Sequence, residues 1–269
     1  MAQELKIALF GAAGRMGREI VAALRESSDI QLVAAVGRAE SANIGRDIGE
    51  IAGGPSLGVA LSADAAIAAK AADLLIDYSS PTGFTTALAA SRAAGCAFVS
   101  GTTGLEASHH AALEAAAHDI PVLYSANMTF GMAVLNRLAG EAASMVGDDF
   151  DVEIMEMHHR HKKDAPSGSA LRLGKTVAVA RGTTLEKSAA FGRHGEGVRA
   201  PGSIGFASLR GGDVPGDHTV IFAGDGERLE LSFRAGNRRI FANGALRAAA
   251  WLAKQPVGLY SVDDMLARS

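Results

Sequence analysis

The residue types that could do chemistry are most concentrated between Glu156 and Ala170, in the run EMHHRHKKDAPSGSA. Six cationic or titratable side chains follow one another there, His158, His159, Arg160, His161, Lys162 and Lys163, and the run stops at Asp164. Imidazoles titrate near neutral pH and can give or take a proton, while fixed cations beside them can neutralise an anionic substrate. The flanks supply a frame for that chemistry. An alternating apolar run, Phe150 to Met157, reads as a strand leading in. Pro166 and the small polar residues after it suit a first helical turn, with the helix running from Ser167 to about Ala180. Strand, positively charged loop and helix N-terminus is an order that holds anions, because unpaired backbone N–H groups and the helix dipole favour negative charge.

Other readings of the same residues lead elsewhere. A charge run is commonly a solvated loop. His158, His159 and His161 could suggest a metal, but no HExxH or paired CxxC accompanies them, and no metal is expected. Gly174-Lys175-Thr176 mimics the end of a phosphate loop, yet Ser169 stands where its first glycine is required.

A second cluster lies at the start of the chain. Leu5 to Phe10 reads as a buried strand and ends on Gly11-Ala12-Ala13-Gly14-Arg15-Met16-Gly17, after which an amphipathic helix runs to about Arg25. A glycine turn between a first strand and a first helix is the context in which a dinucleotide fingerprint is credible. Gly11 and Gly14 would let the backbone approach a pyrophosphate, Gly17 would allow close helix packing, and Arg15 could fork onto phosphate oxygens. The second strand, Gln31 to Val36, ends in Gly37-Arg38 rather than in an acidic residue. A guanidinium without a carboxylate favours the 2′-phosphate of NADPH, with NADH expected to bind more weakly, although Glu40 keeps some ribose contact possible.

The elements that would carry these clusters alternate. Strands are expected at Asp73–Tyr78, Ala97–Ser100 and Pro121–Tyr124, with helices at Thr82–Ala94 and Glu106–Ala117 between them, and residues 39–63 as a surface connection holding a short strand. That is a Rossmann-like, doubly wound parallel sheet. Its carboxyl edge would gather the glycine turn, Arg38, Ser79-Ser80-Pro81, Gly101-Thr102-Thr103 and Ser125-Ala126-Asn127-Met128. A long helix, Phe130–Val146, leaves the sheet. Further alternating segments near Ile204–Arg210, His218–Ala223 and Arg228–Arg234 suggest a second α+β domain with a mixed or antiparallel sheet around the basic loop. Residues 181–203 read as an excursion, and Phe241–Lys254 as an apolar helix suited to packing back on the first domain. The expected division is 1–128 with 239–269 for the dinucleotide, and 129–238 for substrate and oligomerisation.

Bulk properties narrow the class. In 269 residues, 48% are hydrophobic and 20% charged, as in globular proteins with a sizeable core. A net charge of −3 argues against general nucleic-acid binding. The lone Cys96 excludes a disulfide framework within the chain, no apolar run reaches membrane-spanning length, and Met1 to Lys6 shows no signal-peptide character, so a cytoplasmic location is expected.

The glycine turn, the Gly101-Thr102-Thr103-Gly104 segment and the run from His158 to Gly168 together resemble the 4-hydroxy-tetrahydrodipicolinate reductase (dihydrodipicolinate reductase) family, over nearly the whole chain to Phe241-Ala242-Asn243-Gly244-Ala245. The resemblance implies hydride transfer from a nicotinamide cofactor to a cyclic, unsaturated dicarboxylate in the diaminopimelate–lysine pathway, with loss of water. It also implies a homotetramer assembled through the second domain. Carried onto this sequence, it makes His158 and Lys162 an acid/base pair and His159, Gly168 and Ser169 substrate contacts, joined by Arg238. Gly11 to Met16, Arg38, Gly101, Thr102, Thr103 and Ser125 to Met128 become cofactor contacts. Gly37 replaces a glutamate familiar in the family, Met128 stands where an aromatic residue is frequent, and Ser169 replaces a threonine while keeping its hydroxyl. Two other classes fit the architecture alone: a different NADP-linked reductase or dehydrogenase, or a non-catalytic NADP-sensing module. A semialdehyde dehydrogenase would need a reactive cysteine, and Cys96 precedes a buried strand.

Overall fold

The structure, a computed structural model, describes residues 4–266. The chain folds as two compact units, one formed by Met1–Thr129 with Arg238–Ser269 and the other by Phe130–Asn237.

The first unit is built on a seven-stranded, all-parallel sheet. Its elements are β1 (Leu5–Phe10), α1 (Arg15–Leu24), β2 (Ile30–Val36), α2 (Ile48–Ile51), β3 (Leu61–Ser62), α3 (Ala65–Ala71), β4 (Leu74–Asp77), α4 (Pro81–Ala94), β5 (Ala97–Ser100), α5 (Ala107–Ala116) and β6 (Pro121–Tyr124). The strand order, with the late strand β12 (Gly258–Tyr260), is β12-β6-β5-β4-β1-β2-β3. Strands covered by helices on both faces read as continuous apolar runs, and Ile7, Ala8, Leu9, Leu74, Leu75, Ile76, Phe98 and Val99 are accordingly solvent-free. The order reverses direction between β1 and β4, the switch point at which such sheets open a crevice for ligands.

Two elements of this unit carry little periodic signal in the sequence. Helix α3 is short and alanine-rich, and depends on its cap, the Asp64 carboxylate accepting from the Ile67 N–H at 2.9 Å. Strand β12 is only three residues long and exists by pairing with β6. The apolar helix near the C-terminus, α9 (Arg239–Leu252), belongs to the first unit and packs on α1, β4, β5 and β6.

The second unit comprises α6 (Phe130–Val146), β7 (Asp151–His158), α7 (Gly168–Ala180), α8 (Leu185–Ser188), β8 (Ala189–Phe191), β9 (Ile204–Arg210), β10 (Asp217–Gly224) and β11 (Glu227–Arg234). The sheet order is β11-β10-β7-β9-β8, with β10 antiparallel to β7 and β11, and β9 parallel to β7 and β8. Alternation decides its two faces. Val152, Ile154, Ile204, Phe206, Val220 and Phe222 pack on Leu135, Ala139, Leu173 and Val177 of α6 and α7, while Met155 and Leu209 point away and are exposed. The excursion at 181–203 therefore contains a helical turn and an edge strand. Pro166 falls just ahead of α7, outside its first turn, and Ser167 is the N-cap.

Candidate active site

Strand β7 sits in the middle of the second sheet, and its alternation places Glu156 and His158 on the helix-covered face with Val152 and Ile154. A carboxylate and an imidazole two residues apart on one strand face are neighbours by geometry. The His158 Nδ1 lies 2.6 Å from Glu156 Oε2. Arg210, at the end of β9, donates to both oxygens of Glu156 at 2.8 Å. The Ser167 N–H donates to Oε1 at 3.2 Å, so the start of α7 is tied to β7 through the same side chain.

Glu156 is 1% exposed. Burial pushes its carboxyl upward, but the hydrogen bonds from Arg210, His158 and Ser208 prevail and hold it at about 2. His158 is pushed the other way. Its burial lowers the imidazole below the usual histidine range, the charges of Lys162 and Arg210 add to that, and Glu156 opposes them. A second imidazole, His218 of β10, packs edge-to-face on the His158 ring at 5.2 Å. Burial first, and then His158, hold His218 at about 4. Its Nε2 meets the Ser167 hydroxyl at 3.1 Å, and that hydroxyl also accepts from the Ala170 N–H to cap α7.

The basic loop closes on this frame. The Gly211 N–H donates to the His158 carbonyl at 3.0 Å, and the Lys162 N–H to the His159 carbonyl at 3.1 Å. Lys162 pairs with Asp164 at 2.9 Å, and Arg210 donates to the Asp164 carbonyl at 2.7 Å. His158, His159, Lys162, Gly168 and Ser169 thus lie on one loop and helix start. Arg160, His161 and Lys163 are exposed. Arg238 belongs to the first unit and is exposed where α9 begins. Among the described residues no group of three or more His, Cys, Asp or Glu side chains could hold a metal ion.

In the first unit, a cleft of about 730 Å³ opens at the switch point. Gly11, Ala13, Gly14 and Arg38 line it, with Arg18, Glu40, Ser41, Asn43, Tyr78, Ser80 and Thr86. Gly11 has φ +81°, and a Cβ there would collide with the Tyr78 carbonyl, so the turn and the approach of β4 both demand glycine. A Cβ on Gly17 would strike the Ala12 carbonyl, which is the packing role its spacing suggested. These features fit a dinucleotide: a side-chain-free cradle above a helix start, with two guanidiniums and short hydroxyl or amide side chains around it. Ala12 is buried, and Arg15 and Met16 do not line the cleft.

The loops after β4 and β5 share an internal network. Asp77, solvent-free at the end of β4, accepts from the hydroxyls of Ser79 at 2.5 Å, Ser100 at 2.8 Å and Thr102 at 2.7 Å. The Thr102 hydroxyl accepts in turn from the Ser79 N–H at 2.9 Å. Thr102 is therefore committed inward and Gly101 is buried against the Tyr78 ring, leaving Thr103 exposed on the loop. Ser125 and Asn127 brace their own turn, the Ser125 hydroxyl donating to the Asn127 carbonyl and Asn127 Oδ1 accepting from the Thr129 N–H and hydroxyl. Met128 is buried, with Gly244 of α9 pressed against its carbonyl. Sequence reasoning assigned no role to Glu156, Ser167, Arg210, His218 or Asp77. Strand alternation could have found Glu156; the partners on β9 and β10 depend on register between distant segments.

Comparison with known proteins extends over the whole chain. Residues 5–128 match the model "Dihydrodipicolinate reductase, N-terminus" and residues 131–266 the model "Dihydrodipicolinate reductase, C-terminus". The 4-hydroxy-tetrahydrodipicolinate reductase of Halorhodospira halophila is 46% identical over 263 residues, covering 97% of this chain and 98% of the relative. That of Alkalilimnicola ehrlichii is 48% identical over 262 residues, with the same coverage. The dipicolinate-bound dihydrodipicolinate reductase from Paenisporosarcina sp. TG-14 superposes with a TM-score of 0.77 at 22% identity, covering 98% of this chain and all of that one, a likeness of fold.

Proposed function

The chain belongs to the dihydrodipicolinate reductase family, and from that premise we propose how its residues divide the work. The protein is an NAD(P)H-dependent 4-hydroxy-tetrahydrodipicolinate reductase of lysine and diaminopimelate biosynthesis, forming tetrahydrodipicolinate with loss of water. The dinucleotide, when bound, supplies the hydride. Gly11, Ala13 and Gly14 would hold its pyrophosphate against the start of α1, and Ala12, Arg15 and Met16 complete that turn. Arg38 would take the ribose end, and Gly101 to Thr103 with Ser125 to Met128 the nicotinamide end. NADPH is the preferred form on this reading, because Arg38 lines the cleft beside Gly37, where the second strand ends without an acidic residue, and Glu40 stands two residues farther along the same lining. Steady-state comparison of NADPH and NADH tests it: a lower KM for NADPH is expected, and a strong NADH preference refutes it.

His158 is the proton donor to the carbon skeleton as electron density arrives from the hydride, with Lys162 beside it holding a substrate carboxylate and supporting the transfer. His159, Gly168 and Ser169 neutralise and orient the second carboxylate at the start of α7. The observation that carries this reading is the buried His158, linked to an ionised Glu156 and close enough to Lys162 to feel its charge. The test is His158→Gln, expected to lower kcat by about 100-fold while leaving KM within a few-fold, the split expected of a group used in the transition state. Unchanged turnover excludes the role. Lys162→Met should impair both kcat and KM.

Dipicolinate, bound in the Paenisporosarcina reductase, is a dicarboxylate of the class expected here and serves as a non-reacting probe. The exposed face of the second sheet, with Met155, Leu209 and Phe191, supports assembly into a homotetramer, which equilibrium sedimentation would test. A cytoplasmic location fits the lone, buried thiol of Cys96, and no described helix is long and apolar enough to cross a membrane.

A further inference from the structure

The geometry points to Glu156, held by Arg210, as a positioning residue that fixes the His158 proton on Nδ1 and so presents Nε2 to the substrate. This rests on the reading of His158 as proton donor.

Two oxygens of Glu156 meet Nη1 and Nη2 of Arg210, the Ser167 N–H, the Ser208 hydroxyl, which can only donate to an ionised carboxylate, and His158 Nδ1. Arg210 and the backbone amide can only donate, and arginine does not lose its proton in proteins. With a bidentate guanidinium on it, the carboxylate stays ionised and can only accept. At 2.6 Å the remaining partner, His158 Nδ1, must therefore carry a hydrogen in both the neutral and the charged ring. All acid–base exchange then passes through Nε2. That atom points toward the backbone of Gly216, the residue just before β10, where a Cβ would lie 3.0 Å away.

The same arginine reaches the other half of the acid/base pair. Arg210 donates to the Asp164 carbonyl, and the Asp164 carboxylate pairs with Lys162. One guanidinium on β9 thus sets the ring orientation at the end of β7 and the loop geometry four residues later. The charged and titratable groups facing His158 are Glu156 on its own strand, Arg210 on β9, His218 on β10 and Lys162 on the loop. Glu156 is the only anion among them, so it alone favours the imidazolium.

The deciding experiment uses the full-length enzyme with ¹⁵N-labelled histidine, together with Glu156→Gln, Glu156→Asp and His158→Gln. In the wild type, imidazole NMR above the titration should show neutral His158 protonated on Nδ1. In Glu156→Gln the amide can either donate or accept, and both tautomers should appear. Turnover should fall about 100-fold with KM within about threefold, and the alkaline limb of the kcat profile should move to lower pH because the favouring anion has gone. Glu156→Asp keeps the charge and should recover at least about a tenth of wild-type kcat. An unmoved limb and an intact Nδ1 tautomer in Glu156→Gln, or equal losses in Gln and Asp, overturn the proposal. Should Glu156→Gln not fold, the wild-type spectrum decides by itself, since neutral His158 protonated on Nε2 excludes a proton fixed on Nδ1 by Glu156. If instead His158→Gln retains turnover, the acid role fails while the tautomer result still stands or falls on its own.

Discussion

Each unit places a solvent-free carboxylate at the carboxyl end of a strand, Asp77 on β4 and Glu156 on β7, and the two are satisfied by opposite means. Asp77 is surrounded by hydroxyls from Ser79, Ser100 and Thr102 and, among the described residues, pairs with no cation. Burial pushes its carboxyl above the usual range, and the hydroxyls only partly offset that. Glu156 is buried as deeply but receives a bidentate guanidinium and an imidazole, which hold it at about 2. The difference matches what each hub must do. Around Asp77 the task is mechanical: three hydroxyls tie the loops after β4 and β5 at one fixed point beside the dinucleotide cleft. Around Glu156 the task is electrostatic, because a permanently ionised acceptor is what fixes a neighbouring imidazole.

The sharpest way to break that contrast is to remove the cation from one hub. Arg210→Met leaves Glu156 charged and buried, with His158, Ser167 and Ser208 as its remaining partners and no guanidinium. Losing one side of a buried ion pair costs about 3–5 kcal/mol, and the loss should appear as reduced hydrogen-exchange protection along β7 and β9. Asp77→Ala strips an acceptor from neutral hydroxyls, which can rotate toward other partners, so about 1–3 kcal/mol is expected, read on β4 and β5 amides. The same variant should raise the NADPH Kd severalfold by loosening Ser79 and Thr102. A larger loss for Asp77→Ala than for Arg210→Met would mean that charge is not what separates the two hubs.

The two carboxylates should also respond to pH with opposite sign. Glu156 titrates below its unfolded value, so its contribution is complete above that value and is lost as pH falls toward 2. Asp77 titrates above its unfolded value, so its protonated form favours the fold, and stability falls as pH rises through the raised pKa. Each slope is at most about 1.4 kcal/mol per pH unit. Between pH 5 and 3 the wild type should lose β7 protection relative to Glu156→Gln while gaining β4 protection relative to Asp77→Asn. Slopes of the same sign would dissolve the comparison.

How much of this was legible in the sequence follows the same division. The first sheet was readable because buried parallel strands announce themselves as apolar runs and Gly11 as a turn. The position of the basic loop was readable because β7 alternates and α7 begins with a cap. What escaped were short elements held by pairing or one cap, such as β12 and α3, and every contact fixed by register: Arg210 lies 54 residues from Glu156, and Ser167 lies 51 from His218. Asp77 escaped for a further reason. An aspartate ending a strand reads equally as a solvated turn residue, and only the convergence of two later loops makes it a hub.

The smallest predicted effect concerns the proton that the Glu156 side of the comparison manages. In the free protein His158 is depressed by burial and by Lys162 and Arg210, so near pH 7 the ring is largely neutral and Nε2 is bare. A dicarboxylate arriving beside Lys162 and the start of α7 adds negative charge and favours the imidazolium. The site would then acquire its acid as the substrate enters. Dipicolinate binding should therefore take up a fraction of one proton, measurable by calorimetry in buffers of different ionisation enthalpy. His218, held at about 4, should stay neutral and add nothing, so His158→Gln should abolish the uptake. Glu156→Gln should reduce it, because a more strongly depressed ring is harder to charge with the same ligand. Uptake that survives in His158→Gln would move the proton to another group and separate Glu156 from the chemistry.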